Sequence, residues 1–449
     1  MDTPIQKMLE DYIRGGMARM HMPGHKGILP EPLAGAAACD ITEIQGADSL
    51  FECDGVIRRC EEAFARRYGA KESLISCGGS TLCIQAMLAL AAGPGEKVLF
   101  FRNIHKAALD AMILLDIRPV WLFPQDSGGE IGCITPQEVA QSLSRDREIR
   151  AVYITSPDYY GQIHDIGGIA RACHEAGVPL LVDNAHGAHL KFLEEDLHPM
   201  TLGADLCCDS LHKTLPALTG SALLHIGSGS PFTWAAAKEA MGLFGSTSPS
   251  YLMMLSMDML TGRFAEIQAG TRRAAESCAA LRALAAYKGL APMGDDPMKL
   301  TLRPKALGCT GTEFADRLRE EGIECEFADE GHVVLMPSMQ TPEEDFIRLR
   351  EAILLSCRGV SRQSGEGKPP AGQTEASAGG RPRQAMNPRQ AYFAPKEHIP
   401  VTQAEGRIYG DIRWPCPPAV PAIMPGEVLD KRLCKIFAAS GKTQVKVVK

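Results

Sequence analysis

From residue 73 to residue 226 the chain repeats one unit: a short apolar run, a turn of small or polar residues, then a helical stretch. The runs at 73–77, 97–101, 120–123, 151–155, 178–182, 205–208 and 222–226 read as strands. Many lack an alternation of apolar and polar residues, so neither face of their sheet is suited to water. The stretches 82–92, 135–143 and 166–175 read as helices, and Arg102-Asn103-Ile104-His105-Lys106 opens another. Strands of this kind alternating with helices imply an α/β fold, a mainly parallel sheet covered on both faces. Such sheets bind ligands at the carboxyl ends of their strands, so the residues that follow each strand are the first candidates for chemistry.

Around this unit the composition marks further segments. Residues 1–14 read as an amphipathic helix with Ile5, Met8, Leu9 and Tyr12 on one face, followed by the irregular loop MHMPGHKG at 20–27. A long helical pattern at 251–287 is broken mildly by Gly262 and Gly270, and 298–356 restarts a smaller α/β rhythm. Residues 359–386 hold almost nothing to bury and read as a disordered linker. The expected divisions are therefore an N-terminal segment (1–45), a large domain (46–262), a small α/β domain (263–358), the linker (359–386) and a C-terminal segment (387–449). That last segment carries WPCPPAVPAIMPGE and a final helix at 428–437.

Charge and cysteine content exclude several classes. With 47 basic against 54 acidic residues the net charge is −7, which argues against a nucleic-acid or anionic-membrane surface. The apolar stretch 84–92 is too short to span a bilayer, and MDTPIQKMLEDYIRGG has no apolar leader core. Most of the cysteines, Cys77, Cys83, Cys207 and Cys208 among them, lie in apolar periodic stretches without zinc-type spacing. They read as buried reduced thiols of a cytoplasmic protein, and no metal centre is expected.

The chemistry concentrates at strand ends. Asp183 follows the run 178–182, and Lys213 follows the run at 205–208. A buried acid and a lysine at the same sheet edge suit pyridoxal 5'-phosphate: Lys213 as the Schiff-base lysine, Asp183 against the pyridine nitrogen. Taken alone the pair has an ordinary alternative, since acids after strands and lysines in turns are common. Gly78-Gly79-Ser80-Thr81, between a strand and a helix, has the makings of a phosphate cradle; it also has the makings of a plain helix start.

Eight motifs, in order, carry a resemblance: HMPGHKG, DITEIQGADSL, GGST, RNIHKA, SPDYYG, DNAHGAH, SLHKT and STSPSYL, with EGRIYGDIRWPCPPAVPAIMPGE in the tail. In these the chain resembles the bacterial ornithine/lysine/arginine decarboxylases of pyridoxal-phosphate fold type I, the aspartate-aminotransferase-like fold. It looks like their compact form, without an N-terminal receiver-like domain. The resemblance implies that Lys213 holds the cofactor, Asp183 pairs with the ring nitrogen, His105 stacks on one ring face, and Ala185 packs on the other with His186 beside it. It implies that Gly79, Ser80 and Thr81 hold the phosphate together with Ser210 and His212. It also implies a homodimer or higher oligomer in which Ser246 or Thr247 reaches the phosphate of the neighbouring subunit. The expected reaction is decarboxylation of a basic amino acid, arginine first, then lysine or ornithine. Rivals are another reaction on the same fold, an aminotransferase or lyase, and a cofactor-binding regulatory protein without catalysis.

Three positions depart from the family pattern. Asp158 stands where relatives carry Thr, and Gly78 and Cys83 replace an Asn and a Gly. These departures keep the non-catalytic rival open. Asp158, at the same sheet edge as Asp183, is expected to pair with the distal cation of the substrate, to pair with His25 or Lys26, or to face water. His21 and His25 are read as either pinning their loop or serving the site, and His189 as structural.

Overall fold

The computed structural model describes residues 3–123, 132–357, 381–413 and 421–449. Seven strands form the main sheet: β1 (Glu72–Ser76), β2 (Lys97–Phe101), β3 (Arg118–Leu122), β4 (Ile149–Thr155), β5 (Leu180–Asp183), β6 (Leu206–Ser210) and β7 (Ala222–Ile226). Their order is β1-β7-β6-β5-β4-β2-β3. All neighbours are parallel except β7, which runs against both β1 and β6. The connection from β6 to β7, residues 211–221, is too short for the crossover that a parallel neighbour needs, so the chain turns straight back. The carboxyl ends of β1, β2, β4, β5 and β6 therefore share one edge.

The absence of alternation in the strands has the expected cause. In β2, Val98 and Phe100 bury against the helices Gly79–Ala91 and Lys106–Leu115, while Leu99 and Phe101 bury against Pro136–Arg145 and Ile166–Glu175. Successive side chains point to opposite faces, and both faces are dry.

The helical pattern at 251–287 resolves into two helices, Tyr251–Thr261 and Phe264–Tyr287. The break comes at Gly262, which packs on the N-terminal helix Pro4–Arg14; a Cβ there would lie 3.1 Å from the Thr3 methyl. Gly270 causes no break. It makes room for Met339, whose Cβ would lie 3.0 Å from an added methyl.

A second, antiparallel sheet contains β8 (Ala291–Met293), β9 (Leu300–Arg303), β10 (Phe327–Ala328) and β11 (Val333–Leu335), in the order β10-β11-β9-β8. The strand β10 is only two residues long, and β8 lies before residue 298, where the α/β rhythm was expected to restart. In the C-terminal part, β12 (Lys396–Pro400) pairs with β13 (Gln444–Val448). The last helix, Lys431–Ala439, starts later than its apolar pattern because Asp430 caps it, its carboxylate accepting from the Leu433 N–H at 2.7 Å.

Most of the expected linker lies outside the described residues, as do residues 414–420 of the proline stretch. The linker reading does not hold for 384–386. Gln384 bridges to Glu427, and the N–H groups of Ala385 and Met386 donate to the Gly426 carbonyl.

One buried ion pair joins the C-terminal part to the main sheet. Arg102, directly after β2, donates through both terminal nitrogens to Glu427 at 2.7 Å each and through Nε to the Pro421 carbonyl at 3.1 Å. Its guanidinium lies over Trp121 and Phe123, and both partners are buried. The described cysteines are all free, and most are buried. Among the described residues no helix is long and apolar enough to cross a membrane.

Candidate active site

Asp183 is the last residue of β5 and is 1 % exposed. Its Oδ2 accepts from the Tyr153 hydroxyl at 3.1 Å and its Oδ1 from the Ala185 N–H at 3.2 Å. These bonds fix its rotamer and leave each oxygen further acceptor capacity. Ala185 is buried two residues on. Lys213 sits in the single helical turn Leu211–Thr214 that follows β6. Burial pushes its ammonium below the ordinary lysine range, with the Asp183 charge opposing.

The glycine-rich loop closes on the same edge. The Ser80 and Ser210 hydroxyls meet at 2.6 Å. Gly79 holds φ +65°, a left-handed backbone that glycine accepts without strain, and its N–H donates to the Gly220 carbonyl at 2.9 Å. The Ser76 hydroxyl donates to the Gly79 carbonyl at 3.0 Å and accepts from the Gly78 N–H at 3.1 Å. Ser80 and Thr81 thus stand in the first turn of the helix Gly79–Ala91, with Thr81 exposed.

His105 caps the helix Lys106–Leu115, its Nδ1 accepting from the Ala107 N–H at 3.1 Å, and its ring feels the charges of Asp183 and Lys213. His212 is turned to the Ser221 carbonyl at 3.0 Å. Ser246 and Thr247 are exposed on the loop after the helix Trp234–Phe244 and make no hydrogen bond to any of these residues. Within one chain they stay apart from the group.

A residue that the sequence reading passed over completes the cluster. Lys299, which immediately precedes β9, donates through Nζ to the Asp158 carbonyl at 3.1 Å and lies 3.2 Å from His186 Nδ1. The other ring nitrogen, His186 Nε2, lies 3.1 Å from Lys213 Nζ. An ammonium has no lone pair, so with Lys299 charged Nδ1 must accept and the ring proton sits on Nε2. A neutral imidazole can accept from only one of the two ammonium groups, so Lys213 and Lys299 are coupled through the ring. Burial, and after it the charges of Lys299 and Lys213, hold His186 well below the ordinary histidine range, which keeps the ring neutral between them. The only sequence signal was a lysine at the head of a strand assigned to another domain.

Asp158 neither pairs with His25 or Lys26 nor faces water. It is buried, and its Oδ1 accepts from the N–H groups of Tyr160 at 2.9 Å and Gln162 at 2.8 Å. It caps its own turn. Burial pushes its carboxyl up, against the pull of those N–H groups and the Lys299 charge. His25 pairs instead with Asp40 at 3.0 Å, Lys26 donates to the His21 carbonyl, and His21 bonds the Tyr12 hydroxyl at 2.6 Å. These contacts pin the loop. His189 is structural, bonded to Asp296 at 2.8 Å with both buried.

Beneath the edge, Asp209 of β6 accepts from Asn184 Nδ2 at 2.6 Å, His198 Nε2 at 3.0 Å and His225 Nε2 at 3.3 Å. His198, Cys207 and Asp209 bring donor atoms close enough for a metal ion. The hydrogen bonds argue otherwise. His198 Nδ1 accepts from the Met200 N–H at 3.2 Å, which places the ring proton on Nε2, where a metal would need a lone pair. Burial works to raise the Asp209 carboxyl, but the two imidazoles override it and hold the carboxyl well below the usual range. The network ties Asn184, beside Asp183, to the strand that ends in Ser210, so it braces the acid and the lysine against each other.

The comparisons agree with this arrangement. Residues 3–287 match the family model described as Orn/Lys/Arg decarboxylase, major domain, and residues 371–445 match its C-terminal domain. An arginine decarboxylase of Bacillus subtilis is 29% identical over 465 residues, covering 97% of this chain and 93% of that protein. The solved lysine decarboxylase A of Pseudomonas aeruginosa superposes with a TM-score of 0.82 at 19% identity, over 99% of this chain and 80% of that one. An aspartate aminotransferase of Thermus thermophilus superposes with a TM-score of 0.56 at 14% identity, over 68% of this chain and 90% of that one. The fold is the fold type I architecture.

Proposed function

Given that this chain belongs to the Orn/Lys/Arg decarboxylase family, we propose that it removes the α-carboxyl group of arginine with pyridoxal phosphate held on Lys213. Decarboxylation of a basic amino acid follows from the family; arginine follows the near-full-length relative. The observation that carries the reading is the placing of Lys213 and a buried, rotamer-locked Asp183 at one sheet edge.

The residues present fit the cofactor. Ser80, Ser210, Thr81 and the helix N-terminus at Gly79 offer hydroxyl and N–H donors to a phosphate, with His212 adjoining. His105 and Ala185 offer the two faces between which a flat ring can lie. When bound, the cofactor supplies an electron sink for the electron pair left behind as carbon dioxide departs. Asp183 would hold the ring N–H of the bound cofactor, and its burial would strengthen that bond. Lys213, whose ammonium burial pushes below the ordinary lysine range, would serve as the nucleophile toward a carbonyl and later carry a proton back to the substrate carbon.

Parallel carbon dioxide release assays with arginine, lysine and ornithine test this. Release from arginine exceeding that from the other two supports the reading, and release from none of them sinks it. Asp183→Asn should keep the fold and lose roughly 10²-fold or more in kcat, since a neutral amide cannot hold the ring N–H against a growing negative charge, and each ~1.4 kcal/mol is tenfold. Turnover close to wild type would remove Asp183 from this role.

The site is completed in this reading by a second copy, through Ser246 or Thr247. Mixing inactive Lys213→Ala protein with inactive Ser246→Ala/Thr247→Ala protein should restore part of the activity through hybrid dimers. A fully active monomer in sedimentation would contradict the shared site.

A further inference from the structure

We propose that Lys299 binds the α-carboxylate of the amino-acid substrate, an inference that rests on the decarboxylase reading above. Lys299 is 1 % exposed, yet among the described residues its ammonium has only neutral partners, the Asp158 carbonyl and His186 Nδ1. A buried cation without an anion is costly. None of the described acids around it pairs with its ammonium, although Asp296 keeps one buried oxygen without a hydrogen bond. The Asp158 carboxylate is turned back onto the Tyr160 and Gln162 N–H groups, Asp296 is tied to His189 and the Met298 N–H, and Glu326 accepts from the Tyr159 hydroxyl. Asp296 and Asp158 act only at a distance, opposing the burial that pushes the lysine down. The ammonium makes no third hydrogen bond among the described residues, and beyond its two partners it lies 6.0 Å from the centre of the Tyr159 ring.

The surrounding backbone is built to put this lysine where it is. Arg282 donates to the carbonyls of Met293, Gly294, Asp296 and Lys299 itself, which clamps the loop that precedes β9. Gly161, at φ +88°, lets the lysine stem pass; a Cβ there would lie 3.1 Å from Lys299 Cδ. The stem crosses from the small sheet to reach His186, whose far nitrogen faces Lys213.

Lys213 and Lys299 therefore flank one imidazole. A basic amino acid has a single anion, the α-carboxylate, one carbon from the amine that takes the place of Lys213. A substrate placed with that carboxylate toward Lys299 supplies the missing anion. The same charge repels the distal guanidinium or ammonium, so Lys299 also sets which way round the substrate lies. Once the carboxyl group leaves as neutral carbon dioxide, the product amine has nothing for Lys299 to hold. An interaction made with the substrate and given up along the reaction lowers KM without raising kcat.

The test compares the amino acid with the amine it yields. In holoenzyme, Lys299→Met keeps the length of the stem and removes the charge. The KM for arginine should rise roughly tenfold to a hundredfold, the range of a charge-assisted hydrogen bond. The inhibition constant of agmatine should stay level or fall. Calorimetry of arginine and agmatine on a Lys213→Ala background, which cannot turn over, gives the same comparison at equilibrium. Lys299→Arg, which restores a cation, should recover much of the preference for arginine. Equal weakening of arginine and agmatine, or no change in either, overturns the assignment. Wild-type protein that decarboxylates none of the three amino acids fails the decarboxylase reading instead, so the two failures are distinct.

Discussion

Lys213→Ala protein should fold, bind no cofactor covalently, and release no measurable carbon dioxide from arginine, lysine or ornithine. The fold survives because Lys213 is only half-buried and its single side-chain contact is His186 Nε2; truncation leaves one N–H beside a cleft that water can enter. Activity does not survive, because the amine that serves as nucleophile toward a carbonyl is gone. Borohydride reduction of cofactor-loaded wild type, followed by peptide mapping, should place the pyridoxyl group on Lys213. Lys299 makes this a real test. It lies across the same imidazole, and a label there would transfer the role to the wrong side of His186 and sink the assignment.

Glu427→Ala should cost about 3–5 kcal/mol of stability in urea unfolding, the usual loss when one member of a buried ion pair is removed. Arg102 would keep its charge, with only the Pro421 carbonyl and two aromatic faces around it. Glu427 also accepts from the Met424 N–H at 2.7 Å, so the loop that carries it loosens as well. The effect should reach the site, since Arg102 lies three residues before His105 and a shift of the RNIHK turn moves that imidazole. Cofactor retention should therefore fall along with stability. A double variant, Arg102→Met with Glu427→Leu, should regain much of the stability, because removing both charges removes the stranded one. A single variant as stable as wild type would mean that water reaches Arg102.

Much of this protein was legible in its sequence, for a physical reason. Strands buried on both faces lose their polar alternation, so Lys97–Phe101 and Ala222–Ile226 could be read directly. The sheet edge that carries chemistry follows from strand direction, and Asp183 and Lys213 stand at strand ends where a reader looks for them. Both are local features. The same reading placed the helix break at Gly262 correctly but also expected one at Gly270, where the glycine only makes room for Met339 from the smaller domain.

The residues that tertiary structure alone decided are those whose partners are distant in sequence. Asp158 looked like a charge at a sheet edge, and only the closure of its turn onto Tyr160 and Gln162 shows one of its oxygens engaged there. Asp209 gave no signal until β6, β7 and the turn at His198 converged on it. Lys299 was an unremarked lysine heading a strand of the smaller sheet until Gly161 let its stem through to His186. Sequence by itself determined the layered sheet, the family and the acid–lysine pair, because periodicity and strand ends are written within a few residues of one another. Which charges in the cleft are spent and which stay available depends on contacts between elements far apart in the chain, and no local pattern records them.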